Sequence, residues 1–482
     1  MLTDTSRKVT RTYPYAVLLI VFVASRFVVY ELGVRFDASP MYWFFQILDP
    51  VHLQTKLWQS IFYLHSQPPG FNFLIGLTLN STPGVESLAF RTAYLLTGLF
   101  MVLGFFFILE KLRISRYVSV PLAIFFMISP PVILFENWLF YTYPTTLLLL
   151  AAAIFLYLYF ERHTWTPLAL FFITLGAIII MRSLFTAVWF VIIFIGVLLH
   201  DRKNIRTIVV CALPPLLVIA CLHVKNQFIF QQPTLSSWLG MNLMKMVSTV
   251  PQEKIDAHIE LGDVSAIVRV QPFGTPEQYR EFAVFDTTTG IPVLDTWYKS
   301  SGFPNYNHIG YVSVSRQYLD AARFLIPKYP AHYGLSVVKA CYAYLRPSCD
   351  SIIFRGNNRE RLKGWITIYQ NYLLGDALKM VWQTTYTNRF GQQRVVHINL
   401  LYVFVPLLYI WCLISALRPH RARLDKAGTV FVQFVAFCIV YVTIIGNLID
   451  VSENMRFRFL LVPFTYIVLA LMLNTLIKRR QH

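Results

Sequence analysis

Ten stretches of the chain stay apolar for about as long as a helix needs to cross a bilayer, and nothing else in the sequence limits the fold as sharply. They run at approximately 14–31, 87–110, 117–135, 143–160, 166–181, 183–200, 207–225, 396–417, 428–448 and 458–477. A bilayer core of about 30 Å takes roughly 20 residues of helix. Composition agrees: 56% of the 482 residues are hydrophobic, only 14% are charged, and the mean hydropathy is +0.53, far from a soluble balance. The expected fold is an all-α polytopic membrane protein of about ten transmembrane helices.

The charges set the expected topology. A net charge of +18 could suggest nucleic acid, but Lys and Arg fall in short clusters between apolar runs and form no single basic face. If the ten spans alternate, "RKVTR", "KLRISR", "HDRKNIR", "RPHRARLDK" and "KRRQH" share one side, as the positive-inside rule requires of a cytoplasmic face. Both termini are then cytoplasmic. The first run lacks an A-x-A cleavage site and is full length, so it reads as a permanent helix. The other side receives residues 32–86, short turns near 136–142 and 182, a polar insert at 226–395, and "GNLIDVSENMRFR". This divides the chain into a transmembrane module (1–225) with an outer loop (32–86), a mainly helical extracytoplasmic domain (226–395) and C-terminal spans (396–482). "PPGFNFLIGLTLN" is short, and counting it as a span would invert every later loop. It reads instead as a helix in the interface plane.

Several classes of chemistry have no signature here. There is no Walker loop, no Rossmann glycine fingerprint and no zinc spacing, so ATP-driven chemistry is not expected. Cys211, Cys221, Cys412 and Cys438 fall in apolar segments and read as small hydrophobes, while Cys341 and Cys349 lie in a polar region where pairing stays open.

Charge inside a membrane is costly and is usually kept for function or for a partner. The ionisable residues in or beside spans gather at the outer ends: Asp37, Asp49, Arg91, Glu136, Arg182, Lys225, Asp450, Glu453, Arg456 and Arg458. The midplane is almost bare, which disfavours an ion-coupled carrier with its site at mid-depth. Arginine forks suit phosphate, and a carboxylate near a leaving phosphate suits deprotonation of a hydroxyl.

"RFDASPMY" after the first span, "HSQPPGFNFLIGL" in the outer loop, "ESLAFRTAYLLTGLF" opening the second span, "LFENWLFYTYP" and the late "ENMRFRFLLVP" together resemble the GT-C glycosyltransferases, in particular the protein O-mannosyltransferases and the aminoarabinose transferases of lipid A. The resemblance covers roughly the first 145 residues and the last span. It places Asp37 on the catalytic aspartate, His65 with Pro68 and Pro69 on the His-Pro-Pro element, Arg91 on the arginine of the next helix and Glu136 on the second acid. The chain departs at Ala38, where an acid is usual, at Ser66 and Gln67 within His-Pro-Pro, and at Gly70. The resemblance implies transfer of a sugar from a polyprenyl-phosphate-linked donor to a hydroxyl of a lipid, glycan or protein acceptor, at the outer face of a bacterial inner membrane. A non-enzymatic protein that binds or translocates a lipid-linked saccharide is the alternative reading. No nucleic acid partner is expected.

The candidate residues then have roles. Asp37 is the general base, although D-A-S-P is also a good helix entry. Glu136 positions the acceptor or holds a divalent cation, with an ion pair to Arg182 or Arg91 as the simpler alternative. No other cofactor is called for. Arg91, Arg182 and one of Arg456 or Arg458 hold the donor phosphate, since side chains two apart on a helix diverge. Asp49, His65, Glu453 and Lys245 support the site. Asp49 also reads as a helix start before Pro50, and His65 as a structural hydrogen bonder. Trp238, Asn242 and Lys245 are expected on a lipid-phosphate groove or an interfacial helix. Asn305, Asn307 and His308 are expected in an acceptor loop or a plain turn.

Overall fold

The protein was described from a computed structural model covering residues 4–286, 288–354, 357–374, 384–387, 393–396, 398–418 and 424–480. Most of "RPHRARLDK", the end of "KRRQH" and much of 375–392 lie outside the described residues. The chain opens with α1 (Asp4–Glu31), followed by the short helices α2 (Pro50–Thr55) and α3 (Pro69–Ser81). Proline begins both short helices, where its missing N–H would have had no partner in any case. The next span is α4 (Glu86–Lys111). The run expected at 117–135 is broken into α5 (Arg116–Ile128) and α6 (Pro130–Glu136), bent by 53°. Ser129 sits at φ −62° and ψ 136°, the extended conformation favoured before proline, and Pro130 has no N–H to carry the helix through. Four helices follow: α7 (Thr142–Arg162), α8 (Trp165–Met181), α9 (Ala187–His200) and α10 (Ile205–Phe230). α8 packs on both α7 and α10.

The insert starts with α11 (Leu239–Met246), which lies against α12 (Gly310–Lys328). The two come so close that a Cβ on Gly240 would stand 1.8 Å from the Ser315 carbonyl oxygen, so only glycine fits there. α13 (Pro330–Leu345) follows, and then a two-stranded antiparallel ribbon, β1 (Thr384–Thr387) with β2 (Gln393–Val396), pairing Thr384 with Val396. The chain ends with α14 (Leu401–Leu417), α15 (Lys426–Ile449), the short α16 (Met455–Phe459) and α17 (Val462–Arg480).

Among the described residues, five helices are long and apolar enough to cross a bilayer, and the bent pair makes a sixth. Four shorter apolar helices, α8, α9, α14 and α17, fall on the remaining expected runs. The described residues thus make an all-α polytopic membrane protein apart from one ribbon. Helix ends alternate between two faces. At one, Lys111 pairs with Glu161 at 2.8 Å, His163 lies 3.4 Å from Asp201, His200 bonds Gln433, and Lys426 sits over Phe160. This basic end collects "KLRISR" and "HDRKNIR". The opposite end joins residues 30–37, 91–94, 137–142, 182–186 and 448–458.

Apolar burial divides the insert. Most buried apolar residues from Trp238 to Leu325, including Met241, Tyr279, Tyr311 and Tyr318, build a core of their own, while Val293, Leu294 and Val312 join the core of the spans. Tyr344, Cys349, Phe354, Leu362 and Ile366 also join the core of the spans.

Candidate functional site

Asp37 is fixed by backbone pairing between two segments far apart in sequence. Its N–H donates to Asn137 O at 2.9 Å, and its carbonyl accepts from Leu139 N at 3.0 Å, a parallel bridge opposite Trp138. The loop after α1 is thereby fastened to the turn after α6. Asp37 Oδ1 accepts from Ser39 N at 2.9 Å, the local turn that D-A-S-P suggested, and Oδ2 has no hydrogen-bond partner among the described residues. The residue also lines a cleft of about 280 Å³ with Arg35, Leu134, Trp138, Phe354 and Asn358. The capping role and a place in a cavity are therefore compatible. Arg91 and Arg35 both lie against the Tyr30 ring, at 4.8 and 3.7 Å from its centroid, and Arg35 lines the cleft.

Glu136 does not line that cleft. It is 2% exposed and accepts from Arg26 Nε at 2.8 Å, Arg26 Nη2 at 2.6 Å and Tyr143 OH at 2.9 Å. The ion pair is therefore made with Arg26, and not with Arg182 or Arg91. Gly98 on α4 makes room for it, since a Cβ there would stand 2.3 Å from Glu136 Oε2. Arg26 lies inside α1, about 7.5 Å from its end at 1.5 Å per residue. Sequence reasoning passed over it. A cation within an apolar run was the signal that could have found it.

Arg182 and Arg456 come together. Arg182 is 2% exposed, donates to Thr142 Oγ1 at 3.2 Å and lies over Tyr141 and Phe457, at 5.1 and 5.0 Å. Arg456 is 7% exposed and lies over Phe140 and Phe44, at 5.4 and 5.9 Å. Phe140 and Tyr141 are in contact at 3.9 Å, and each guanidinium is within electrostatic range of the other. Among the described residues neither makes an ion pair, and Arg456 Nε and Nη1 have no hydrogen-bond partner. Asp450 is close to Arg182 but is paired with Lys245. An aromatic layer links the arginines to the Asp37 cleft: Trp138 lines the cleft, Phe140 lies 4.8 Å from Trp138, and Phe44 lies 5.5 Å from it.

The remaining candidates hold elements together. Arg458 donates from Nε to Tyr344 O and from Nη2 to Arg346 O, both at 2.8 Å. Glu453 accepts from Ser351 Oγ. Asp49 caps α2 through Val51 N at 3.0 Å and accepts from Ser300 N and Oγ at 2.6 and 2.8 Å. His65, 1% exposed, bonds Ser237 Oγ at 2.8 Å and Asn307 O at 3.0 Å. A carbonyl can only accept, so Nε2 carries the proton and Nδ1 accepts from the serine. Burial drives the imidazole down to about 3, keeping it neutral. Lys299, 4% exposed and missed in the sequence, donates to Phe44 O at 2.7 Å, and burial lowers its amine to about 7 against the pull of Asp49. Lys225 donates to Phe62 O at 2.7 Å. Trp238 lies in the 238–325 core, and Asn305 and Asn307 spend their amides on backbone carbonyls.

Cys341 and Cys349 are free thiols. Among the described residues no group of three or more His, Cys, Asp or Glu side chains is placed to hold a metal ion.

No protein-family model matches the chain, and no curated protein matches it. Among solved structures it matches the crystal structure of the Archaeoglobus fulgidus oligosaccharyltransferase in the apo form, at 12% sequence identity and a TM-score of 0.39, over 95% of this chain and 50% of that one. The chain thus spans about half the length of that enzyme, and a likeness of this size decides neither activity nor substrate.

Proposed function

We propose that the chain is an integral-membrane glycosyltransferase of the GT-C type. It moves a sugar from a polyprenyl-phosphate-linked donor to a hydroxyl of a lipid, glycan or protein acceptor, on the non-cytoplasmic side of a bacterial inner membrane. The observation that carries this reading is that Arg182 and Arg456 are both buried, lie within electrostatic range of each other and, among the described residues, make no ion pair. An unpaired buried cation costs several kcal/mol, and an anion between the two forks removes that cost. A phosphate presents paired acceptor oxygens to such forks. Asp450, within electrostatic range of Arg182, spends its carboxylate on Lys245.

In the reaction the acceptor oxygen attacks the anomeric carbon and its proton passes to the Asp37 carboxylate. The bond from that carbon to the phosphate oxygen breaks, and its electron pair leaves on the phosphate. Arg182, held by Thr142, and Arg456 take up the charge that grows there. The buried rings of Trp138, Phe140 and Phe44 form a packed layer that joins the cleft at Trp138 to Arg456, and a sugar ring would lie in the cleft, against the edge of this layer. Asp37 is partly exposed beside a cleft, as a base that must reach an external hydroxyl has to be.

The test uses the whole chain in lipid vesicles with a polyprenyl-phosphate-linked labelled sugar. Asp37→Asn lowers transfer by roughly 10²- to 10⁴-fold with donor binding retained. Unchanged transfer removes Asp37 as the base. Donor binding with no transfer by the unmodified chain would instead establish the non-enzymatic binder or translocator.

A further inference from the structure

Helix α13 and the chain after it lie against the spans, outside the separate core of residues 238–325. The partners along α13 change depth. Tyr333 OH donates to Leu448 O at 3.0 Å, next to the last residue of α15. Further along, Tyr344 OH is 2.9 Å from Thr443 Oγ1 and 3.4 Å from Tyr409 OH. At 1.5 Å per residue, Thr443 lies about 9 Å below the end of α15 and Tyr409 about 12 Å below the start of α14. The chain then returns to the Asp37 cleft, where Asn358 bonds the backbone of Arg35. It dips again, with Trp365 Nε1 donating to Ile128 O at 2.7 Å and Tyr369 stacked on Phe125, and comes back at Leu374, whose carbonyl accepts from Leu400 N just before α14.

We infer that α13 and the described residues up to Leu374 form a re-entrant element, in which α13 descends into the half of the bilayer opposite the basic end and turns its outer face to lipid acyl chains. A helix that ends in hydrocarbon leaves its last carbonyls without water to bond. Here Arg458 supplies the donors to Tyr344 O and Arg346 O, and its charge opposes the negative end of the helix dipole. Leu335, Val338 and Cys341 follow one another on the exposed face, with Val338 64% exposed. α13 packs on α14 and α15, whose outward residues Val403, Leu407 and Ile444 are exposed within spans, so its bare face continues a lipid-facing surface. Lys339 does not oppose this placement. Side chains on a helix tilt toward its N-terminus, which here leads the amine toward the headgroups.

The test is independent of any catalytic reading. A bimane label is placed on Cys341 in a chain carrying Cys211→Ser and Cys221→Ser, the more accessible of the other thiols, and the protein is reconstituted into phosphatidylcholine–phosphatidylglycerol vesicles with iodide on both faces. Lipids bearing a nitroxide on the acyl chain quench the label. Iodide quenches it several-fold less than a label at Val284→Cys, a position 69% exposed on the 238–325 unit, in a chain carrying Cys341→Ser, Cys211→Ser and Cys221→Ser. Equal iodide quenching at the two positions overturns the inference by placing α13 in water. Protection from both quenchers overturns it by showing that protein covers the face.

Discussion

Arg456 and Arg458 stand two positions apart on α16, and the fold gives them opposite work. The sequence states that they diverge, because side chains at i and i+2 point to different sides of a helix. It does not state which one faces the aromatic layer. Arg458 is spent on the carbonyls of Tyr344 and Arg346, whereas Arg456 keeps two buried donors unpaired. Removing each should therefore act in opposite directions. Arg456→Met raises the thermal midpoint of the ligand-free protein, since an apolar side chain of similar volume replaces an uncompensated charge, and it weakens donor binding by roughly 10- to 100-fold. Arg458→Met lowers the midpoint by leaving two carbonyls unsatisfied, at about 1–3 kcal/mol each. Thermal unfolding in detergent with and without donor separates the two, and equal destabilisation by both variants would remove Arg456 from the binding site. Glu136 gives the same lesson. Its burial beside a cation could be guessed from its place at a span end, but its partner Arg26 is 110 positions away and only packing supplies it.

At the level of elements, periodicity and length located the spans well, because one residue type repeated over some 20 positions is a local signal. The bend at Ser129–Pro130 was also written locally, yet its result is tertiary. It turns α6 so that the backbone of Asn137 and Leu139 meets Asp37. Gly240 was equally silent in the sequence. Its backbone touches α12 so closely that Gly240→Ala should part α11 from α12 and loosen the 238–325 core while the spans stay folded. Limited proteolysis should then cut within 238–329 at an early time, with α4 and α7 still protected. An unchanged cleavage pattern would show that the close approach relaxes at little cost. Asp49 was legible as a cap because Asp before Pro is a helix-entry pattern, while its bonds to Ser300 were not legible at all.

Across the whole molecule, the loop from Tyr42 to Ser66 is gripped by the insert through His65, Lys299, Asp49 and Asn307. Burial shifts His65 and Lys299. His65 is depressed to about 3 from its ordinary 6.5, so its contribution is complete above pH 6.5 and is lost as pH falls from there toward 3, at about 1.4 kcal/mol per pH unit. Lys299 is depressed to about 7 from 10.5, so the folded state sheds a proton that the unfolded chain keeps, and stability rises as pH climbs from 7 toward 10.5. The midpoint of the unmodified protein should therefore climb with pH through both windows. His65→Gln flattens the lower window and Lys299→Met the upper one. A pH profile identical in all three proteins would show that the buried pair does not couple docking to protonation. Because Lys299 holds the carbonyl of Phe44, and the Phe44 ring lies by Arg456, this grip also reaches the candidate site.

The sequence by itself determined the all-helical membrane character, the positions of the spans and the gathering of charge at span ends. Each follows from hydrophobic transfer and the cost of burying charge, which depend on residue type and local length. The tertiary structure alone decided which charges meet: Glu136 with Arg26, Lys245 with Asp450, and Arg182 within range of Arg456, neither of them in an ion pair among the described residues. It also divided the insert between a separate core and the helix that runs beside the spans. Those outcomes depend on side chains from distant segments arriving at one place, and a hydrogen bond or an ion pair is decided within about 1 Å, a scale that residue spacing along a chain does not encode.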